Sequence, residues 1–162
     1  MTQSQGGRKP LMDDAEWYAS LPGFPASGAA LLTDASGAVL LVKPWYRDYW
    51  LLPGGVTEAE ESPRQCAERE AEEEVGVAVT ATALLAVHWM PPADPRRATF
   101  AFVFDCGTLP DRDGVHLQAE ELDDFAFLPL EQAVARMEPS GARRLTTAWQ
   151  ARESGHPAYL EG

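Results

Sequence analysis

The chain has 162 residues, 45% of them hydrophobic, enough to bury a real core in a single globular domain. Acidic residues outnumber basic ones 25 to 13, for a formal charge of −12. That balance excludes a non-specific polyanion binder, which a phosphate backbone would repel, but not a protein whose nucleotide phosphates are met by metal ions.

In chain order, residues 1–13 are polar and Gly-containing and read as a mobile tail ahead of one domain over 14–162. Asp14–Ser20 reads as a short helix whose Trp17 and Tyr18 are expected to be core contacts. Ala29–Thr33 and Ala38–Val42 read as strands around the hairpin turn Asp34-Ala-Ser-Gly37. Trp50–Leu52 reads as a third short strand, ending in a tight Pro53-Gly54-Gly55 loop where glycine permits close backbone approach. Ser62 followed by Pro63 starts a helix, with Gln65 completing a capping box, and Gly76 suits the residue after its end. Val77–Trp89 reads as a strand with a bend, Pro91–Arg97 as a loop, and Thr99–Cys106 as a half-buried strand with Phe100, Phe102 and Phe104 on one face. A turn-rich stretch over Leu109–Val115, a strand at Phe125–Leu128 and helices over Leu130–Met137 and Gly141–Glu153 complete the chain. No repeat or linker is visible. The mixture of strands and helices predicts the α/β class.

On the helix from Ser62 to about Val75, the rotation of roughly 100° per residue places Glu70, Glu73 and Glu74 on one face. Ala67, Ala71 and Val75 form the neighbouring apolar flank, fit for packing on a sheet. Like charges at i, i+4 repel, so Glu70 and Glu74 are a local cost that a hard divalent cation would turn into a ligand set. A solvated acidic face is the ordinary meaning of such a run. The flanking Gly54-Gly55, the isolated Glu61, the Arg69-Glu70 pair and the terminal Gly76-Val77 point instead to a metal site. Cys66 lies within this helix as a packing residue, and with Cys106 it makes no disulfide framework. Neither a secretory segment nor a membrane-length apolar run is visible, so a cytoplasmic protein is expected.

Residues 55–77 follow the pattern G-x5-E-x7-R-E-A-x-E-E-x-G-V. This pattern resembles the Nudix box, with every defining position filled. The resemblance extends to Leu40-Leu41-Val42, to Trp50-Leu-Leu-Pro-Gly-Gly55 and to the segment Glu121–Leu130, covering roughly residues 27–135. One departure is Glu60, where many members carry glycine.

The resemblance implies a Nudix fold, an α/β/α sandwich around a mixed sheet. It also implies a pyrophosphohydrolase that uses Mg²⁺ or Mn²⁺ to cleave a nucleoside diphosphate linked to another moiety. By the same resemblance Glu70, Glu73 and Glu74 match metal ligands, and Glu70 also orients or deprotonates the attacking water. Arg69 matches the arginine that braces the glutamates, pairing with Glu73 or reaching back to Glu61. Glu61 matches an acidic position that is structural in some members and assists metal or water in others. Gly55 matches a position whose backbone binds metal. Glu121, with Glu120 as runner-up, is the candidate for an acidic ligand or base outside the box, surface solvation being the alternative.

Trp45 and Tyr46 lie where a base could stack, and Arg47 and Lys43 where a terminal phosphate could be touched. Core or rim packing and simple solvation are the competing roles. Pro91 and Pro92 lie near a position where ADP-ribose-cleaving members tend to carry proline. The expected partner is a small phosphorylated substrate, with no membrane; a homodimer is compatible. The other functional classes are a diphosphatase of a non-nucleotide substrate and a non-catalytic ligand sensor of the same fold.

Overall fold

The computed structural model describes residues 12–162; most of the expected tail, residues 1–11, lies outside the described residues. The elements are α1 (Asp14–Ser20), β1 (Ala26–Asp34), β2 (Val39–Pro44), β3 (Gly54–Val56), α2 (Pro63–Val75), β4 (Ala83–Met90), β5 (Thr99–Leu109), β6 (Leu122–Leu128), α3 (Leu130–Arg136), α4 (Pro139–Ser154) and β7 (Ala158–Glu161). The strands form one sheet in the order β6-β2-β1-β5-β4-β7, with β3 paired to β1 beside this path. β1–β5 and β4–β7 are parallel and the remaining pairs antiparallel, so the sheet is mixed.

The central strands β1 and β2 are apolar on both faces, because both faces are covered. Ala30, Leu32, Leu40 and Val42 point to one face, where Ala67, Ala71 and Val75 of α2 pack on them. Leu31, Val39 and Leu41 point to the other, against Ala133 of α3 and Leu145, Ala148 and Ala151 of α4. The result is the expected α/β/α sandwich. Close approach of α2 to the sheet depends on Gly28, where an added Cβ would stand 2.0 Å from the Pro63 carbonyl oxygen.

β1 and β2 diverge at one end, and residues 51–56 enter the gap. The Ala30 N–H donates to Pro53 O at 2.8 Å, Val42 and Leu51 exchange backbone bonds at 2.9 Å, and Gly55 stands opposite Gly28. This insertion corrects the expected strand at Trp50–Leu52: Leu51 makes only an isolated bridge to Val42, and the ladder runs through the two glycines instead.

Three further differences separate the structure from the expected elements. Residues 77–82 lie outside any strand, because the backbone of Ala81 is taken by α2 side chains: Arg64 donates to Ala81 O at 2.6 Å and Ala81 N–H donates to Glu68 at 2.8 Å. Trp17 and Tyr18 are not core contacts: no residue of α1 is buried, and the two rings pack edge-to-face on each other at 4.9 Å. β7, unforeseen, is a four-residue edge strand added parallel to β4. No described helix is long and apolar enough to cross a membrane.

Candidate functional site

The helix that carries the acidic residues is delimited as its sequence predicts. Ser62 caps it, with its hydroxyl accepting from Gln65 N–H at 3.2 Å and the Gln65 side chain accepting from Ser62 N–H at 3.0 Å, and Gly76 ends it in the left-handed conformation. Burial of Ala67, Ala71 and Val75 then fixes where the rest of the helix points.

Glu74 is the deepest of the three carboxylates, at 8% exposure. The Gly54 N–H donates to its Oε2 at 2.8 Å, joining α2 to β3. Burial, opposed by that hydrogen bond and reinforced by the charges of Glu70, Glu121 and Glu73, pushes its carboxyl up to about 8. Glu70 is partly buried against Gly55, where an added Cβ would meet its Oε1 at 2.1 Å. Burial raises Glu70 also, opposed by Arg69. Glu73 is 52% exposed.

Arg69 ties these residues together. Its Nε and one terminal nitrogen donate to the two oxygens of Glu61 at 2.8 and 3.0 Å, and its other terminal nitrogen donates to Glu70 at 2.9 Å and to Glu73 at 2.8 Å. The guanidinium beside Glu61, assisted by the Glu58 N–H, holds that carboxyl down at about 2. Both partners expected for Arg69 are therefore engaged at once, and the planar fork of arginine makes this possible.

Glu121 lies in the turn before β6. That turn is fastened to the end of α2, Gln118 N–H donating to Glu74 O at 3.0 Å, and Trp45 N–H donates to Glu121 O at 3.2 Å. The Glu121 charge contributes to raising Glu70, Glu74 and the Tyr46 phenol, so it faces the carboxylate cluster. Trp45 and Tyr46 stand on the rim at 63% and 53% exposure, packed edge-to-face at 5.5 Å, with the Arg47 guanidinium 5.6 Å from the Tyr46 ring. Lys43 is turned away, its ammonium donating to the Pro44 and Arg47 carbonyls.

The donor chemistry here, several carboxylate oxygens crowded until protonation competes with charge, suits a hard divalent cation. Among the described residues no three His, Cys, Asp or Glu side chains converge closely enough to hold an ion as they stand, Glu70 and Glu73 being turned to Arg69. The Cys66 thiol is buried, 3.2 Å from Gly55 O, and burial raises it above its ordinary value, so it packs as a neutral group. Cys106, also buried, is pushed up to about 12.

The family model of the NUDIX domain matches residues 23–149. The chain belongs to the Nudix family. Membership makes it a hydrolase of acid anhydrides in phosphorus-containing substrates, cleaving a pyrophosphate bond. It is 28% identical over 137 residues, 85% of this chain and 84% of its relative, to a MutT-like protein of Streptomyces ambofaciens. Its fold is similar to that of a UDP-X diphosphatase, with a TM-score of 0.69 and 23% identity over 93% of this chain and 76% of the other. It is also similar to the NUDIX domain of Shewanella oneidensis NrtR in complex with ADP ribose, with a TM-score of 0.66 and 22% identity over 88% of this chain and 99% of the other.

Two residues of this Nudix domain escaped the sequence reading. A cavity of about 200 Å³ lies against Gly54-Gly55-Val56, and Arg144 of α4 lines it. His88, fully buried on β4, accepts a hydrogen bond from Arg144 at 3.1 Å. The available signal was Arg144 lying in register with the buried stripe Gly141, Leu145, Ala148 and Ala151, a place where a helix seldom spends an arginine.

Proposed function

We propose that the chain is a single-domain, divalent-metal-dependent pyrophosphohydrolase acting on a nucleoside diphosphate linked to another moiety. The observation that carries this reading is the Glu70–Glu73–Glu74 face of α2, braced by Arg69 and backed by the Gly54–Gly55 backbone.

Glu70, Glu73 and Glu74 would hold Mg²⁺ or Mn²⁺, with the Gly55 carbonyl as a further oxygen ligand. Bound there, the cation supplies Lewis acidity and screens the charge of the pyrophosphate. The protein's own groups do the rest. Glu70, raised by partial burial, accepts the proton of the attacking water, and Glu121 faces the same space as a second acidic group. Arg69 holds Glu70 and Glu73 side by side before the cation binds, and Glu61 keeps Arg69 in place when the two carboxylates turn to the cation. Water oxygen bonds to one phosphorus, the bridging P–O bond breaks, and two phosphorylated products leave. Trp45, Tyr46 and Arg47 offer a stacking surface and a cation at the rim. The names of the structural neighbours, a UDP-X diphosphatase and a domain complexed with ADP ribose, support a nucleotide-derived substrate.

The test is a panel of nucleoside triphosphates, nucleotide sugars, ADP-ribose and non-nucleotide prenyl and sugar diphosphates with Mg²⁺ or Mn²⁺, each product identified by mass spectrometry. Turnover that stops in excess EDTA and returns with added cation is expected. Undiminished cleavage in EDTA sinks the metal reading, and cleavage restricted to non-nucleotide diphosphates sinks the substrate class.

A further inference from the structure

Among the described residues, Arg144 is a cation without a carboxylate partner. Three arginines form ion pairs among the described residues, Arg69, Arg112 and Arg152; Arg144 is not one of them. It is partly buried, and burial lowers its guanidinium from the ordinary value, though the group stays charged. One terminal nitrogen donates to His88 Nδ1 at 3.1 Å and to the Met90 sulfur at 3.6 Å.

His88 is fixed by elimination. A guanidinium only donates, so Nδ1 must be the acceptor; the Gly162 carbonyl 3.3 Å from Nε2 only accepts, so Nε2 carries the proton. Burial, opposed by the bond to Gly162, and the nearby charges of Arg144, Arg143 and Arg96 hold the ring neutral. The imidazole is thus a fixed acceptor that aims Arg144. Among the described residues every buried side-chain nitrogen and oxygen has a partner. The N–H groups of Arg144 without a protein partner are therefore accessible rather than buried, and Arg144 lines this cavity.

Apart from Ser27, the remaining walls are apolar or backbone: Leu51, Leu52, Phe102 and Met137 line the space, with Gly54 and Gly55 as the floor shared with the carboxylate cluster. A free phosphate would need donors on several sides, and the side chains of this cavity offer one guanidinium fork and the single hydroxyl of Ser27. Apolar walls with a single oriented donor pair suit a flat heterocycle with acceptors on one edge. A guanidinium fork matches the adjacent O6 and N7 acceptors of guanine, whereas adenine presents an N6 donor at the same place.

We propose that Arg144 is a specificity-determining residue that reads the acceptor edge of a 6-oxopurine base held in the cavity beside β3. The substrate class is then a guanine nucleoside di- or triphosphate derivative, a refinement that rests on the hydrolase reading above.

The test pairs turnover with binding. On GTP against ATP, and GDP-linked against ADP-linked sugars, the wild-type protein should favour guanine in kcat/KM by about tenfold or more, the discrimination of one bidentate contact. Arg144→Gln should erase or invert that ratio, because a carboxamide pairs with adenine N6 and N7. Arg144→Lys keeps the charge, loses the fork, and should lower the guanine preference. Separately, GMP and AMP are titrated into the metal-free protein and each variant by tryptophan fluorescence, with melting curves to show that each is folded. GMP binding that weakens about tenfold in Arg144→Gln, with AMP unchanged or improved, supports the proposal even if no turnover is found, in which case it is the hydrolase reading that fails. An unchanged guanine-to-adenine ratio in a folded, active Arg144→Gln protein overturns it. So does an equal loss for all nucleotides with inorganic phosphate as an effective competitor, which would make Arg144 an anion anchor.

Discussion

The carboxylate of Glu74 accepts a 2.8 Å hydrogen bond from the amide of Gly54. One contact thereby joins the helix bearing the acidic face to the strand that floors the cavity. It also explains the double glycine. Gly54 has a φ of 156°, and a Cβ there would stand 2.4 Å from Gly28 O, so only glycine lets this amide reach the helix.

Glu74 makes the metal-free protein sensitive to alkali. Its carboxyl is raised from 4.5 to about 8 in the folded state, so the native protein binds more protons than the unfolded chain between those values. Stability is then fully present below pH 4.5, declines as pH rises, and is lost above about 8. Melting in EDTA across this range should show a falling Tm that Glu74→Gln flattens, with the variant the more stable at pH 8.5. The same substitution should lower turnover by about two orders of magnitude or more, because it removes a proposed ligand. A Tm independent of pH in the wild-type protein, or near-native turnover in the variant, contradicts the assignment.

Arg69 acts in the opposite sense at low pH. Glu61 is depressed from 4.5 to about 2, so its pairing with Arg69 stabilises the fold above 4.5 and is lost as pH falls towards 2. Arg69→Gln should remove this acid-side loss. In double-mutant cycles by urea denaturation at pH 7, coupling of Arg69 to Glu61 should exceed coupling to Glu73. The latter, an i, i+4 pair with a half-exposed partner, should be about 0.5 kcal/mol. The reverse order would mean that Glu61 does not hold the arginine.

Local rules made much of this legible in the sequence, and long-range ones did not. The capped helix Pro63–Val75 follows from Ser62, Gln65 and Gly76, all within hydrogen-bonding reach along the chain. The two-faced apolarity of β1 and β2 announces a covered central sheet. Glu60, the one position noted as departing from the box, has a φ of 66°, a left-handed conformation in which glycine is unstrained. By contrast, the irregular path of residues 77–82 depends on Glu68 and Arg64 reaching from another element. Arg144 meets His88 across 56 residues of chain, and no local pattern encodes that.

Glu121 and Glu120 separate the proposed general function from mere surface charge. Only Glu121 acts electrostatically on Glu70, Glu74 and Tyr46, and its backbone is bonded to both Trp45 and Gln118. Glu121→Gln should therefore reduce kcat by about tenfold or more, and Glu120→Gln by less than about twofold. A paired steady-state assay at saturating Mg²⁺ decides between them; the opposite order moves the acidic role to Glu120.

Gly28 and Gly55 face α2 from neighbouring strands and should respond differently to the same added methyl group. At Gly28 the new Cβ meets backbone, 2.0 Å from Pro63 O and 2.9 Å from Ala67 N, so the whole helix must retreat from the sheet. Gly28→Ala should cost about 1–3 kcal/mol of stability, the range of overpacked cores, and fall at its upper end because the clash is with backbone. At Gly55 the Cβ meets the end of a flexible side chain, 2.1 Å from Glu70 Oε1, and that side chain can swing aside. Gly55→Ala should therefore cost less than about 1 kcal/mol in stability. Its effect should fall on chemistry, because Glu70 leaves its contact with Arg69 and the geometry of the acidic face is lost. A misplacement of this size can lower turnover about a hundredfold. Urea denaturation and steady-state kinetics on both variants measure the two effects separately. Equal loss of stability at the two positions, or full activity in Gly55→Ala, would show that Glu70 does not work from its place against β3.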